Sequence, residues 1–581
     1  MAKNMINLTI DGVKVSVEEG STILDAAKKA GITIPTLCYL KELNKIGACR
    51  MCLVEVKGAR GLVTSCAYPV TEGMEVTTNS YKLYNARKTN LELLISNHRK
   101  DCSNCLKSKS CELKELAELY ECDEHAWDGK KSSHEPDVTS DCIIRDPSKC
   151  ILCKKCVAVC AKQQAVGVIH ANKRGFNTYI GCAFDEKMDK TACVGCGQCT
   201  LVCPTGALTE RDHIAEVFAA LNDPEKIVVV SPAPSVRVTI GEEFGYPIGT
   251  DVEGKLVTAL KRIGFNYVFD VDFAADLTIM EEGYEFLDRL KNNGKLPLIT
   301  SCSPGWINFV TAYYPEFIDN LSTAKSPMQM QGSVTKTYWA QKMNIDPKKI
   351  VTVHIMPCTA KKSEINYGCD ALKGMRDTDI VLTVRELARM IKIDNINFRN
   401  LPDGKFDSPI GESTGAAVIF GTTGGVMEAA LRTVADVVTG EDLPSVDYRA
   451  VRGTKGIKEA TLNLKGQEVK VCAVSGLANA ARVLEDIKSG KRNYHFVEIM
   501  CCPGGCVNGG GTPYVNYEVN SRDEVIKLRA KALYKNDSKK AIRKSHKNPS
   551  IIKIYQEFFE KPNSHKAHEI LHRSYKKREF I

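Results

Sequence analysis

The chain has 581 residues, room for several domains, and its 43% hydrophobic and 26% charged content is that of a folded globular protein rather than a disordered or fibrous one. No apolar run approaches the ~18 residues of a membrane span, and residues 1–11 lack a signal-peptide core. A cytoplasmic protein without membrane contact is therefore expected, and in that reducing compartment 25 cysteines point to metal ligation, not disulfides. The net charge of +9 gathers in the tail, at Lys539, Lys540, Arg543, Lys544, His546 and Lys547. No aromatics interleave there for base stacking, which excludes nucleic acid as a partner; a solvated basic helical face, or a dock for an acidic redox partner, is expected.

In chain order, residues 5–17 alternate as two strands around an Asp11-Gly12 turn. A helix follows, capped by Ser21, running to Lys29 and closed by Gly31. Cys38, Cys49, Cys52 and Cys66 come next, the outer two separated from the central pair by ten and thirteen residues. Gly47-Ala48-Cys49-Arg50-Met51-Cys52 is small enough to wrap a cluster. This order resembles the 2Fe-2S module at the front of complex I and hydrogenase subunits, on a β-grasp fold, with a longer first interval than the plant-type spacing.

Residues 81–97 read as a helix leading to His98, Cys102, Cys105 and Cys111. Three cysteines and one histidine would also suit tetrahedral zinc. The flanking iron–sulfur patterns favour iron, and the run resembles the 4Fe-4S segment of the same redox family held by one histidine and three cysteines. Residues 123–141 read as a linker. Two matching runs follow, Cys150, Cys153, Cys156, Cys160 and Cys193, Cys196, Cys199, Cys203, the second followed by Pro204. Both have C-x2-C-x2-C-x3-C spacing, that of a ferredoxin with two 4Fe-4S clusters, in which the fourth cysteine of each run serves the other cluster. One cluster would use Cys150, Cys153, Cys156 and Cys203, the other Cys193, Cys196, Cys199 and Cys160. Cys122, Cys142 and Cys182 lie outside the patterns and read as buried or idle thiols.

Residues 210–221 read as a helix. Beyond Lys226 the texture becomes α/β, with strands at 227–230, 267–271, 296–299, 350–355 and 496–499 and a helix at 277–291. The first strand is broken by Ser-Pro-Ala-Pro-Ser at 231–235. Three of the others end in cysteine loops: Thr300-Ser-Cys-Ser-Pro-Gly-Trp306, Met356-Pro-Cys-Thr-Ala-Lys-Lys362 and Met500-Cys-Cys-Pro-Gly-Gly-Cys506. Carboxyl ends of strands are where open α/β sheets place ligands. Gly421-Thr-Thr-Gly-Gly425 is glycine-rich but lacks a nucleotide fingerprint, so any NAD or flavin must sit on another chain.

The three loops together resemble the motifs T-S-C-[C/S]-P-G-W, M-P-C-x-x-K-K and E-x-M-x-C-x-x-G-C-x-x-G-G-G of the FeFe (iron-only) hydrogenases, and the resemblance covers residues 1–515. It implies an H-cluster, a 4Fe-4S cubane bridged by a cysteine to a two-iron unit with CO, cyanide and a dithiolate. It further implies one 2Fe-2S and three accessory 4Fe-4S clusters, with H2, protons and ferredoxin as reactants or partners. By motif position Cys358, Cys502 and Cys506 would be ligands, Cys506 the bridge. Lys361 would hydrogen-bond a cyanide, Pro234 and Ser235 would line the opposite side, and Met356 and Met500 would pack around the open iron. Most members carry two cysteines where this chain has Cys302-Ser303. Strict register makes Cys302 the proton relay and Ser303 the fourth ligand; Cys302 itself or Cys501 are the alternatives. The family's proton path maps onto Cys302, Glu282, Ser322, Glu285 and Arg289.

The expected fold is multidomain α+β and α/β: a β-grasp 2Fe-2S domain (1–80), the histidine/cysteine 4Fe-4S segment (81–122), the linker (123–141), a two-cluster ferredoxin domain (142–210), an α/β H-cluster domain with the cofactor between sheet lobes (211–520), and the basic helical tail (521–581). The Cys-Ser departure looks like the multimeric type, implying NADH- and flavin-binding and 2Fe-2S partner subunits and electron bifurcation. A stand-alone ferredoxin-dependent enzyme and a non-catalytic H2 sensor are the other readings.

Overall fold

The computed structural model describes residues 4–444, 446–464, 466–516 and 521–579; the expected boundary at residue 520 lies outside them. β1 (Met5–Ile10) and β2 (Val13–Glu18) form the expected hairpin. Asp11 and Gly12 both take positive φ, 48° and 83°, the geometry that matches the right-handed twist of paired strands. The helix Ile23–Lys29 is capped by Thr22, not Ser21: the Thr22 hydroxyl accepts from Asp25 N while the Asp25 carboxylate reaches back, so the reciprocal box outcompetes the neighbouring serine. β3 (Leu53–Val56), β4 (Val63–Thr64) and β5 (Glu75–Thr77) complete a sheet of order β2-β1-β5-β3-β4, with β1 and β5 parallel.

The helix Tyr81–Ser96 leads to the His98 segment, as expected. The ferredoxin domain pairs β6 (Ile143–Arg145) with β9 (Leu208–Glu210), and β7 (His170–Asn172) with β8 (Tyr179–Gly181). Glu210 thus ends a strand, and the helix expected from it starts only at Ile214. The two cysteine runs repeat one backbone turn: Leu152 and Lys154 in the first, Gly195 and Gly197 in the second, all have positive φ. Such a left-handed step aims successive N–H groups at an anion.

The C-terminal half holds two four-stranded sheets. In the first, β10 (Ile227–Pro232), β11 (Tyr267–Val268), β13 (Ile350–Met356) and β14 (Ile380–Thr383) are all parallel, in the order β11-β10-β13-β14. In the second, β12 (Leu298–Ile299), β15 (Ile457–Leu464), β16 (Gln467–Ser475) and β17 (Phe496–Met500) run β12-β17-β16-β15, with only the β15–β16 pair antiparallel. β14 and β17 are buried along their whole length, the signature of parallel strands covered on both faces. β10 continues through Ser231 and Pro232 rather than breaking there, and β11 stops at Val268 because Asp270 caps the next helix, Val271–Lys291. That helix starts earlier than expected and places Glu281 and Glu282 in its middle, fully buried.

The tail is packed on one side and keeps the expected solvated basic face on the other. The helices Arg522–Lys539, Pro549–Ile554 and His565–Leu571, with Phe559 between the last two, bury Ile526, Leu533, Ile551, Ile554, Phe559 and Leu571 in the cores beneath them. Three of its cations are paired inward: Arg529 with Glu242, Arg543 with Asp537, and Lys544 with Asp436. Lys527, Lys531, Lys535 and Lys539, four residues apart on the first helix, are exposed. No described helix is long and apolar enough to cross a membrane.

Candidate active site

β12, β13 and β17 each run directly into a cysteine loop, and β10 into Ala233-Pro234-Ser235. Because β10 and β13 belong to one sheet and β12 and β17 to the other, the loops meet between the sheets, around a cavity of ≈ 760 Å³. Cys302, Ser303, Cys358, Cys501, Cys502 and Cys506 line it, together with Pro234, Ser235, Met356, Lys361 and Met500. Every residue expected at the cofactor is therefore brought to one place. The third loop approaches the second so closely that a Cβ on Gly509 would lie 2.2 Å from Pro357 O; only glycine allows the two loops to close the cavity together.

The lining fits a bulky, sulfur-ligated inorganic group. Met356, Met500, Met328 and Phe420 give an apolar wall. Lys361 places one cation in it, its Nζ donating to Glu364 Oε2 (2.7 Å), Ser326 Oγ (2.8 Å) and the Cys302 carbonyl (3.2 Å). Ser235 Oγ is buried without a partner, an orphan that a polar ligand would satisfy. Burial pushes the Cys506 thiol up to about 12 and those of Cys302 and Cys358 well above the ordinary thiol value, so metal binding is what ionises such groups.

The five residues of the expected proton path form one line. Ser322 lies beside Glu282 and donates to Glu285 Oε2 at 2.8 Å. Arg289 Nη2 donates to Glu285 Oε1 at 2.6 Å, with both side chains only partly covered. At the inner end Glu282 lies close enough to Cys302 for its charge to raise the thiol further. Burial first, then the Glu285 charge, lift the Glu282 carboxyl to about 8, and its Oε2 has no partner. A buried carboxyl balanced near neutrality can both give and take a proton.

The accessory cysteines form a succession of sites. Cys38 lies beside Cys49, and Cys52 beside Cys66, at the N-terminal sheet, and the neighbouring Cys49 thiol lowers the pKa of Cys38. Asn44 Nδ2 donates to both the Cys38 and Cys153 carbonyls, at 2.7 and 2.9 Å, tying that loop to the ferredoxin. Cys150, Cys153, Cys156 and Cys203 line a second cavity, of ≈ 450 Å³. Cys193, Cys196 and Cys199 interact electrostatically with Cys160, so each run lends its fourth cysteine to the other group. In the histidine segment, Cys105 and Cys111 lie within electrostatic range of each other while Cys102 is exposed. His98 Nδ1 is buried and unpartnered; burial, then the Lys149 charge, lower its pKa to about 4, leaving the neutral ring a ligand requires. Among the described residues no three metal-binding side chains converge on one point as a single ion would demand. Cluster cradles are wider, because each ligand holds a different iron.

The second ferredoxin run packs on the wall of the active-site cavity. Gln198 Nε2 donates to Asn508 O (2.8 Å) and Gln164 Nε2 to Cys501 O (3.2 Å). The Cys501 thiol lies beside those of Cys196 and Cys502. Sequence reasoning did not single out Gln164, Gln198, Ser326 or Glu364; nothing in their spacing marks them.

Comparison with known proteins gives a consistent assignment. Residues 226–510 match the C-terminal domain of the iron only hydrogenase large subunit, and residues 523–578 match the iron hydrogenase small subunit. The chain also matches a 2Fe-2S cluster binding domain (3–81), the NADH-ubiquinone oxidoreductase-G iron-sulfur binding region (87–126) and a 4Fe-4S dicluster domain (149–207). It is 49% identical to the NADP-reducing hydrogenase subunit HndD of Solidesulfovibrio fructosivorans, over all of both chains. It is 42% identical to iron hydrogenase 1 of Clostridium pasteurianum, over 99% of this chain and all of that one. Among solved structures, apo [FeFe]-hydrogenase HydA1 of Chlamydomonas reinhardtii superposes with a TM-score of 0.57 at 39% identity, over 63% of this chain and 99% of that one.

Proposed function

The chain belongs to the FeFe (iron-only) hydrogenase family and is a hydrogenase, and from that premise we propose how its residues divide the work. The reaction is H2 ⇌ 2H⁺ + 2e⁻ at an H-cluster held between the two sheets, which supplies the metal chemistry of H2 cleavage when bound. Cys358, Cys502 and Cys506 would hold it, Lys361 and Ser235 would meet its polar ligands, and Met356 and Met500 would keep water from it. Cys302 would hold and hand on a proton at its thiol, with Glu282, Ser322, Glu285 and Arg289 as the relay toward the surface. The Cys193–Cys199 run, the Cys150–Cys156 run, the segment at His98 and the site at Cys38–Cys66 would hold the accessory clusters, which supply the route for electrons when bound. The observation that carries this reading is that three cysteine loops from two sheets enclose one cavity while a ferredoxin cysteine run packs against the loops that wall it.

The partners follow from the same arrangement. We assign the chain the catalytic role in a multimeric, pyridine-nucleotide-linked and bifurcating assembly, with ferredoxin as one acceptor. The likeness to a subunit of an NADP-reducing hydrogenase supports this. The test is purification from the native host followed by H2-dependent reduction of NADP⁺, NAD⁺ and ferredoxin, separately and together. Copurifying flavoprotein subunits and nucleotide reduction that depends on ferredoxin support bifurcation; a single-chain preparation reducing ferredoxin alone makes it a stand-alone enzyme.

A further inference from the structure

A 4Fe-4S cubane is held by four ligands, almost always thiolates. The active-site cavity supplies three by motif, Cys358, Cys502 and Cys506, and the candidates for the fourth are Cys302, Ser303 and Cys501. Their surroundings separate them. The Cys302 carbonyl is held by Lys361 and its thiol faces Glu282, at the inner end of the proton line. The Ser303 hydroxyl accepts the backbone N–H of Cys501 at 3.2 Å, so it is already committed to holding the third loop. It is also the poorest acid of the three, because a hydroxyl gives up its proton far less readily than a thiol, and the ionised form is the ligand.

Cys501 is placed differently. Its thiol lies beside those of Cys196 and Cys502, with Gln164 Nε2 3.7 Å from its sulfur. The first loop is shaped around that sulfur: a Cβ on Gly305 would sit 2.6 Å from Cys501 Sγ. The sulfur absent at position 303 is thus delivered to the same turn from the opposite side, by the third loop.

We propose that Cys501 supplies the fourth thiolate of the cubane and that Ser303 positions the Cys501 backbone instead of binding iron. Ligation forms one Fe–S bond and releases the thiol proton. The inference rests on the H-cluster reading above. It adds that the cubane's fourth sulfur is the one beside Cys196, which would set a ligand of the nearest accessory cluster next to a ligand of the active-site cubane.

The test uses the full-length chain, produced without the two-iron maturation machinery and reconstituted anaerobically with iron and sulfide. Wild type is compared with Cys501→Ala, Ser303→Ala and the swap S303C/C501A. Iron and sulfide are counted, the reduced clusters are recorded by electron paramagnetic resonance, and the capacity to take up a synthetic two-iron carbonyl–cyanide complex is read by infrared. Cys501→Ala is expected to lose one cubane, about four irons per chain, and all uptake of the complex, with the accessory signals intact as the control for folding. Ser303→Ala is expected to keep both, and the swap to restore both. The proposal is overturned if Cys501→Ala keeps its iron and uptake, if Ser303→Ala loses them, if the swap fails to restore them, or if Cys501→Ala loses an accessory signal instead. A wild-type chain that takes up only accessory clusters overturns the H-cluster reading itself, and the proposal with it.

Discussion

Thr359 Oγ1 donates to the Gly195 carbonyl at 2.6 Å, joining the residue after Cys358 in the active-site cavity to the turn between Cys193 and Cys196 in the ferredoxin. Electron transfer depends steeply on separation, and this bond is one of several that leave no space between the two domains. The catalytic sheet and the last accessory site are one packed unit.

Gly197 tests that unit. Its φ is +67°, and a Cβ there would meet Thr359 Oγ1 at 2.4 Å and Gly510 Cα at 3.0 Å. Gly197→Ala is expected to cost about 1–3 kcal/mol in backbone strain and overpacking, read as a lower Tm. H2 uptake coupled to ferredoxin should fall further than H2/D2O exchange, which needs the active site but no electron flow through the chain. Equal losses in both would show that the contact serves the cofactor alone.

The proton line makes a pH prediction. With the Glu282 carboxyl lifted to about 8 by burial and the Glu285 charge, it is protonated below that value and ionised above it. H2 evolution, which needs the acid, should decline as pH rises through 8, while H2 oxidation, which needs the carboxylate, should rise. Glu282→Gln should lower both by roughly 10²–10⁴-fold with the iron content unchanged. A variant that keeps most of its turnover would refute the path.

Asp537 tests the role of the C-terminal segment. It is buried between Arg432 and Arg543. Burial alone would raise its pKa, but the hydrogen bonds from Arg543 and Arg432 outweigh that and hold it below the ordinary aspartate value. Its stabilisation is therefore complete above the unfolded aspartate value and is lost as pH falls through the lower folded one. Asp537→Ala, which removes one of the two buried carboxylates paired with Arg432 and leaves it Glu428 alone, should cost about 1–3 kcal/mol at neutral pH, and the Tm gap from wild type should close on acidification. A tail that merely decorates the surface would show no gap.

His98 offers an independent check on the accessory chain. His98→Ala removes the buried ring whose Nδ1 has no protein partner and should delete one cubane signal while sparing the 2Fe-2S signal. Zinc in metal analysis of wild type, with no cubane lost in the variant, would return the segment to a structural role.

Much of this was legible in the sequence because cluster chemistry fixes ligand spacing and buried parallel strands are short runs of β-branched residues. Val228–Val230, Val351–Ile355 and Val497–Ile499 mark three strands that end at functional loops. The rest was hidden where polar residues are buried. Asp270 reads as part of a strand, and Asp272 and Asp276 fall between that strand and the helix expected at 277–291, yet all three open the helix that carries Glu282, with Asp270 and Asp272 gathered around buried Arg237. In the tail, lysines outnumber the apolar residues Ile551, Ile554, Ile570 and Leu571, whose helical spacing holds the segment to the core. The link from Cys196 to Cys501 joins positions far apart in the chain, and no local pattern announces it.

The most direct measurement is infrared spectroscopy of the fully matured protein. The account predicts sharp bands from CO and cyanide on iron, shifting when H2 is added and weakened or lost in Lys361→Met. Matured protein that contains only ordinary iron–sulfur clusters, with no diatomic ligand bands, would contradict it.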